Sequence, residues 1–343
     1  MRVLRHILIT LAGFALTAEA GSVVPGSCVS ALLNRTVSYL AFLPHDYGRQ
    51  VAAGKRYPVV YLLHCYGCTP SSWFNSPSYC ASFADFVDSA EYVYVAPDDG
   101  GTWAWWLDSP TIPRSQWSSF LVDELKPHVD STHATLTDRA FTGVAGHSMG
   151  GFGAIHNLIE HPETFSAAYS LMGGLDIVAV NSYGLPTLLG PMPQYLANWV
   201  AANPADQGCR LAGKNVSVAF VSGSMDFPAF HAGNARFHRV LDFCGVPHLY
   251  NVGVDTANEH YPITAQYVGA LVHFFDSVFT AAASGADRPG PHTSVQQAPC
   301  GKTARGRSCT ITGRSTGTAP GADIGVSVGV PETGKPSRTV KVR

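Results

Sequence analysis

The stretch GVAGHSMGGFGAIH, residues 143–156, gathers five glycines around one serine, Ser148. The residues before it, from Phe141 to Gly146, read as the end of a buried strand, and those from Gly150 onward as the start of a helix. Gly146-His147-Ser148-Met149-Gly150 is therefore G-x-S-x-G placed at a strand-to-helix turn. Such a turn holds its serine in a strained backbone, and the positions two residues away on either side must lack bulk for it to close. The helix that follows turns free N–H groups, that of Met149 among them, and positive potential toward a reacting carbonyl. The pattern marks Ser148 as a candidate nucleophile rather than an idle turn residue.

Working outward, short runs rich in Val, Tyr, Phe and Ala read as buried strands at 37–43, 58–64, 92–96, 140–145, 167–172, 216–222 and 250–254. Helical patterns lie between them. In 116–129 the apolar residues Trp117, Phe120, Leu121, Leu125 and Val129 share one face, and 232–243 and 263–279 read similarly. This alternation predicts an α/β fold, a mainly parallel central sheet covered by helices on both faces.

A serine hydroxyl needs a base and an acid to become nucleophilic. In α/β-hydrolases these follow in the order Ser, acid, His. The strand at 216–222 runs into Gly223-Ser-Met-Asp226, which puts Asp226 on a loop at a strand end; Asp176 and Asp255 are the rivals. His260 follows the last strand on the loop that leads to the final helix. His231, His238 and His273 fall inside helical patterns, His147 belongs to the turn itself, and His64 reads as a structural hydrogen-bonding residue ending a core strand.

Five segments together resemble the esterase D-like family of α/β-hydrolases. They are YPVVYLLHCYG (57–67), ELKPHVDSTHATLTDRAFTGVAGHSMGGFGA (124–154), HPETFSAAYSLMGGLD (161–176), SGSMD (222–226) and NEHYP (258–262). That family includes S-formylglutathione hydrolases, tributyrin-type, feruloyl and acetylxylan esterases, and bacterial mycolyltransferases. The resemblance covers roughly residues 35–280 and implies an α/β-hydrolase fold. It implies Ser148 as nucleophile, Asp226 as orienting acid and His260 as base, with the backbone N–H groups of Met149 and Tyr66 as the oxyanion hole. Cys65 stands where the family usually has Gly, directly before Tyr66. Trp103, Trp105 and Trp106 in GTWAWWLDSP (101–110) either stack on a sugar or aromatic acyl group or pack beneath a surface loop.

The ends of the chain read differently from its middle. Residues 1–20 combine Arg2 and Arg5, an apolar run and Ala18-Glu19-Ala20, the marks of a secretory signal peptide. Residues 21–283 form the expected catalytic domain. From 284 to 343 there is no Phe, Trp or Tyr, and nine Lys/Arg stand against three Asp/Glu; such a tail cannot bury enough apolar surface to order itself. Eight cysteines in an exported chain imply disulfides, with Cys65 or Cys68 to Cys80, Cys209 to Cys244 and Cys300 to Cys309 as local pairings. A net charge of −2 gives no reason to expect nucleic acid, no later apolar run is long enough to span a membrane, and the chemistry requires neither metal nor cofactor. The expectation is a secreted serine esterase acting on a small-molecule or polysaccharide-linked ester. The alternatives are an acyltransferase passing the acyl group to a sugar or lipid hydroxyl, and a non-catalytic binding protein on the same scaffold.

Overall fold

The structure is a computed structural model that describes residues 21–75, 91–224, 226–253 and 260–286; at 75, 228 and 260–265 it describes the backbone alone. Residues 1–20, the residues beyond 286, Asp255, Cys80, Cys300 and Cys309 lie outside the described residues.

Eight strands form one sheet: β1 (Ser22–Ser30), β2 (Arg35–Leu43), β3 (Val59–Leu63), β4 (Val93–Pro97), β5 (Thr142–His147), β6 (Ala167–Leu171), β7 (Ser217–Gly223) and β8 (His248–Gly253). Their order across the sheet is β1-β2-β4-β3-β5-β6-β7-β8. β1 and β2 are antiparallel to their neighbours, and β4, β3, β5, β6, β7 and β8 run parallel. Of the six parallel strands, β3 to β7 are buried along their whole length because helices cover them on both faces, whereas the edge strand β8 is mostly half-buried.

Alternation along each strand divides the core in two. Val59, Tyr61 and Leu63 of β3, with Val218 and Phe220 of β7, meet Phe152, Ile155 and Leu158 of the helix Met149–Glu160 and Phe237 and Leu241 of the helix Pro228–Phe243. On the other face Val60, Leu62, Ala219 and Val221 meet Leu271, Phe275 and Val278 of the final helix, His260–Ser284. Among the described residues no helix is long and apolar enough to cross a membrane.

Three expectations are corrected. The edge strand β1 is absent from the sequence reading, which starts the sheet at 37; Pro25 and Gly26 interrupt its pattern, and most of it is exposed or half-buried. The helix read over 116–129 is composite: Trp117–Ser119, a π-helical segment Phe120–Leu125, then Lys126–Thr132. Cys65 is bonded to Cys68 rather than to Cys80, whereas Cys209 pairs with Cys244 as expected. Cys28 is free and buried.

Candidate active site

Parallel strands place all their C-terminal ends at one edge, and the loops leaving that edge carry the candidate residues. β5 ends at His147 and the helix Met149–Glu160 begins one residue later, so Ser148 alone makes the turn, at φ 56°, ψ −114°. A non-glycine residue seldom adopts that conformation, and neighbouring contacts must hold it. Its N–H donates to the Leu171 carbonyl at 2.8 Å, and its own carbonyl accepts from the Phe152 N–H at 3.0 Å. The bulk rule is literal here. A methyl group on Gly146 would fall 2.0 Å from the Gly150 oxygen, and one on Gly150 would fall 2.0 Å from the Leu63 oxygen.

The loop after β3 faces this turn. His64 is buried; its Nδ1–H donates to the Cys65 carbonyl (2.9 Å), and its Nε2 accepts from the Asp99 N–H (3.2 Å), which fixes the ring tautomer. The Trp106 indole N–H donates to the His64 carbonyl at 3.1 Å. Asp99 in turn accepts from the N–H groups of Gly101 (2.9 Å) and Ala104 (3.3 Å), tying the tryptophan loop to the loop after β3. Among the described residues neither the Met149 nor the Tyr66 N–H has an acceptor.

A cleft of about 220 Å³ opens where these loops meet. Ser148 and Met149 line it from the elbow, and Cys65 and Tyr66 from the loop after β3. The remaining lining is four aromatic rings: Trp105, Tyr183, Phe227 and Phe230. The three tryptophans of 101–110 separate. Trp103 is exposed and stacks on Tyr66 (centroids 4.9 Å apart), and Trp105 lines the cleft while its indole donates to the Tyr183 carbonyl at 2.9 Å. Trp106 is fully buried, edge-on to Trp117 and His64, and takes the packing role. All three have positive φ, between 52° and 57°. Three bulky residues in that region of one loop mark a segment whose shape is imposed by its surroundings.

Asp226 lies just beyond β7, buried, with one carboxylate oxygen accepting from the Phe227 N–H at 2.7 Å. Its rival Asp176 is committed elsewhere, paired with Arg236 at 2.9 Å and accepting from Asn203 at 2.9 Å. His260 is the first residue of the final helix rather than a loop residue, and its side chain lies outside the described residues. His231 and His238 are helical, within reach of Ser222 Oγ (3.4 Å) and His248 Nε2 (2.7 Å).

The Esterase family model matches residues 30–242, more than half of the chain, from the end of β1 to the helix Pro228–Phe243. The chain belongs to the Esterase family. Esterase Rv1288 of Mycobacterium tuberculosis (strain ATCC 25618 / H37Rv) is 28% identical over 234 residues, covering 60% of this chain and 49% of that protein. The chain thus spans about half the length of the curated relatives it matches. Among solved structures, a ferulic acid esterase superposes with TM-score 0.61 at 23% identity, over 76% of this chain and 99% of that one. An S-formylglutathione hydrolase from Agrobacterium tumefaciens also gives 0.61, at 18% identity over 76% and 96%. These likenesses are of fold, and the fold of this Esterase-family chain is that of the α/β-hydrolases.

Sequence reasoning did not find Tyr183, Phe227 and Phe230 as lining residues, or the link from His64 to Asp99. Phe227 directly follows Asp226 and Phe230 comes four residues after it, a proximity that could have flagged them. Tyr183 comes from a separate loop with no local signature.

Proposed function

We propose that the chain is an exported serine esterase in which Ser148, Asp226 and His260 form the triad and the Met149 and Tyr66 amides form the oxyanion hole. The observation that carries this reading is Ser148 itself, held at φ 56° between strand and helix and opening into the aromatic cleft. In this mechanism His260 takes the hydroxyl proton as Ser148 Oγ attacks the ester carbonyl. Asp226 orients and stabilises the imidazolium, and the two amides meet the developing oxyanion. His260 then protonates the leaving alkoxide, and water, activated by the same imidazole, releases the acid from Ser148. Among the described residues the cleft lining contains no charged side chain, so the reading extends to a neutral, apolar or aromatic acyl group, since a charged one would be desolvated without a partner. The leader-like first 20 residues and two disulfides among the described residues support export.

Ser148→Ala is expected to lower hydrolysis of p-nitrophenyl butyrate by at least about 10³-fold, with the circular dichroism and melting temperature of the wild type retained. Turnover equal to the wild type would overturn the assignment. Partition of the acyl group between water and an added alcohol distinguishes hydrolysis from acyl transfer.

A further inference from the structure

Cys65 is more than a wall of the cleft. The chain from Cys65 to Cys68 is a four-residue turn closed by the Cys68 N–H on the Cys65 carbonyl at 3.1 Å. Gly67 occupies its third position with φ 70°, as turns of this hand require. The turn's own hydrogen bond uses the N–H of its last residue and leaves that of its second, Tyr66, free to face a ligand. The disulfide joins the first and last residues of the same turn, with Cα atoms 5.2 Å apart, and so encircles Tyr66 and Gly67. The Cys65 carbonyl also accepts from His64 Nδ1–H at 2.9 Å. Cys65 is buried and lines the cleft, whereas Cys68 is half-buried between exposed Gly67 and Thr69.

We propose that the Cys65–Cys68 disulfide is the positioning element of the oxyanion loop and makes turnover sensitive to thiols. The inference rests on the serine-esterase reading above. A thiolate of a dithiol reductant attacks the accessible Cys68 sulfur, and Cys65 leaves as its thiolate. The reductant's second thiol then closes its own disulfide and releases Cys68; two electrons pass to the protein, which gains two thiols. The backbone hydrogen bond of the turn survives, so the loop loosens without losing the Tyr66 amide. The effect should therefore be smaller than the roughly 10²–10³-fold loss that follows outright removal of an oxyanion donor.

The test uses the full chain as wild type, Cys68→Ser, and a Cys209→Ser/Cys244→Ser control. Active sites are counted by fluorophosphonate labelling, so that kcat refers to reactive serines alone. Cys68→Ser is expected to lower kcat for p-nitrophenyl butyrate about tenfold with KM within about twofold, and to weaken inhibition by butylboronic acid by a similar factor. Dithiothreitol should reproduce that loss in the wild type and oxidised dithiothreitol should reverse it, while the control variant keeps the wild-type kcat. If Cys68→Ser does not fold, the dithiothreitol arm on folded wild type decides the matter. A labelled, active wild type whose kcat is unchanged by Cys68→Ser or by reduction overturns this proposal and leaves the serine reading standing. A wild type that neither labels nor hydrolyses overturns the reading and this inference together.

Discussion

His156 lies on the helix that follows the nucleophile turn and shows what burial does to a titrating residue away from the chemistry. Its ring stacks on Phe152 at 5.3 Å and 12°, and its Nδ1–H donates to the Ala202 carbonyl at 3.2 Å. Burial holds its pKa below the ordinary 6.5, with Glu160 and Asp108 opposing only in part. An unfolded chain therefore takes up a proton as pH falls through 6.5, while the folded chain resists until the lower folded value. Stability is at its full value above 6.5 and declines between the two. The urea midpoint of the wild type should drop more between pH 7.5 and pH 5.5 than that of His156→Gln. Equal drops would show that His156 is not responsible. Ser148 sits at the other extreme: its backbone is strained. Its place at the turn was readable because the glycines that let the turn close, Gly146 and Gly150, lie two positions from it, although Leu63 and Leu171, which also pack the turn, are distant in sequence.

At the scale of elements, Glu124 joins two that are far apart in sequence. It sits in the π-helical segment Phe120–Leu125, and its carboxylate accepts from Ser30 Oγ and from the N–H groups of Ala31 (2.9 Å) and Leu32 (3.2 Å). This clasps the turn between β1 and β2 to the helical layer. Glu124→Ala leaves three donors without that acceptor, and a loss of about 1–3 kcal/mol is expected, read as a lower urea midpoint at constant m-value. A midpoint within error of the wild type would mean that water satisfies the turn equally well. The same pair shows what the sequence conveys at this scale. β3 to β7 were legible because burial on both faces leaves a run of small and apolar residues. β1 was not, because an edge strand containing Pro25 and Gly26, held partly by a glutamate 94 residues away from Ser30, carries no local pattern. The candidate site divides in the same way. The strand-to-helix turn at Ser148 and the place of Asp226 on the loop after β7 are local and were readable. The aromatic lining comes from loops that only the sheet order brings together, and the His64–Asp99 link is made of residues 35 apart.

At the scale of the whole molecule, the two disulfides among the described residues occupy opposite ends of the parallel strands. Cys65–Cys68 follows the C-terminal end of β3, at the edge that carries Ser148. Cys209 and Cys244 precede the N-terminal ends of β7 and β8, linking the 3₁₀ turn Gly208–Leu211 to the end of the helix Pro228–Phe243. The second bond closes a loop of sequence separation 35, for which chain-entropy arguments give about 3–4 kcal/mol of stabilisation. Neither cysteine lines the cleft. Cys209→Ser/Cys244→Ser should therefore lower the urea midpoint and the melting temperature by amounts corresponding to that loss, while kcat below the transition stays at the wild-type value. The short bond between Cys65 and Cys68 should behave in the opposite way, because a four-residue loop restricts the unfolded chain little and the reacting edge much. A double variant that lost activity in proportion to stability would mean that the two ends of the sheet are coupled, since a rigid parallel core would otherwise leave the cleft unaware of a break at the far edge.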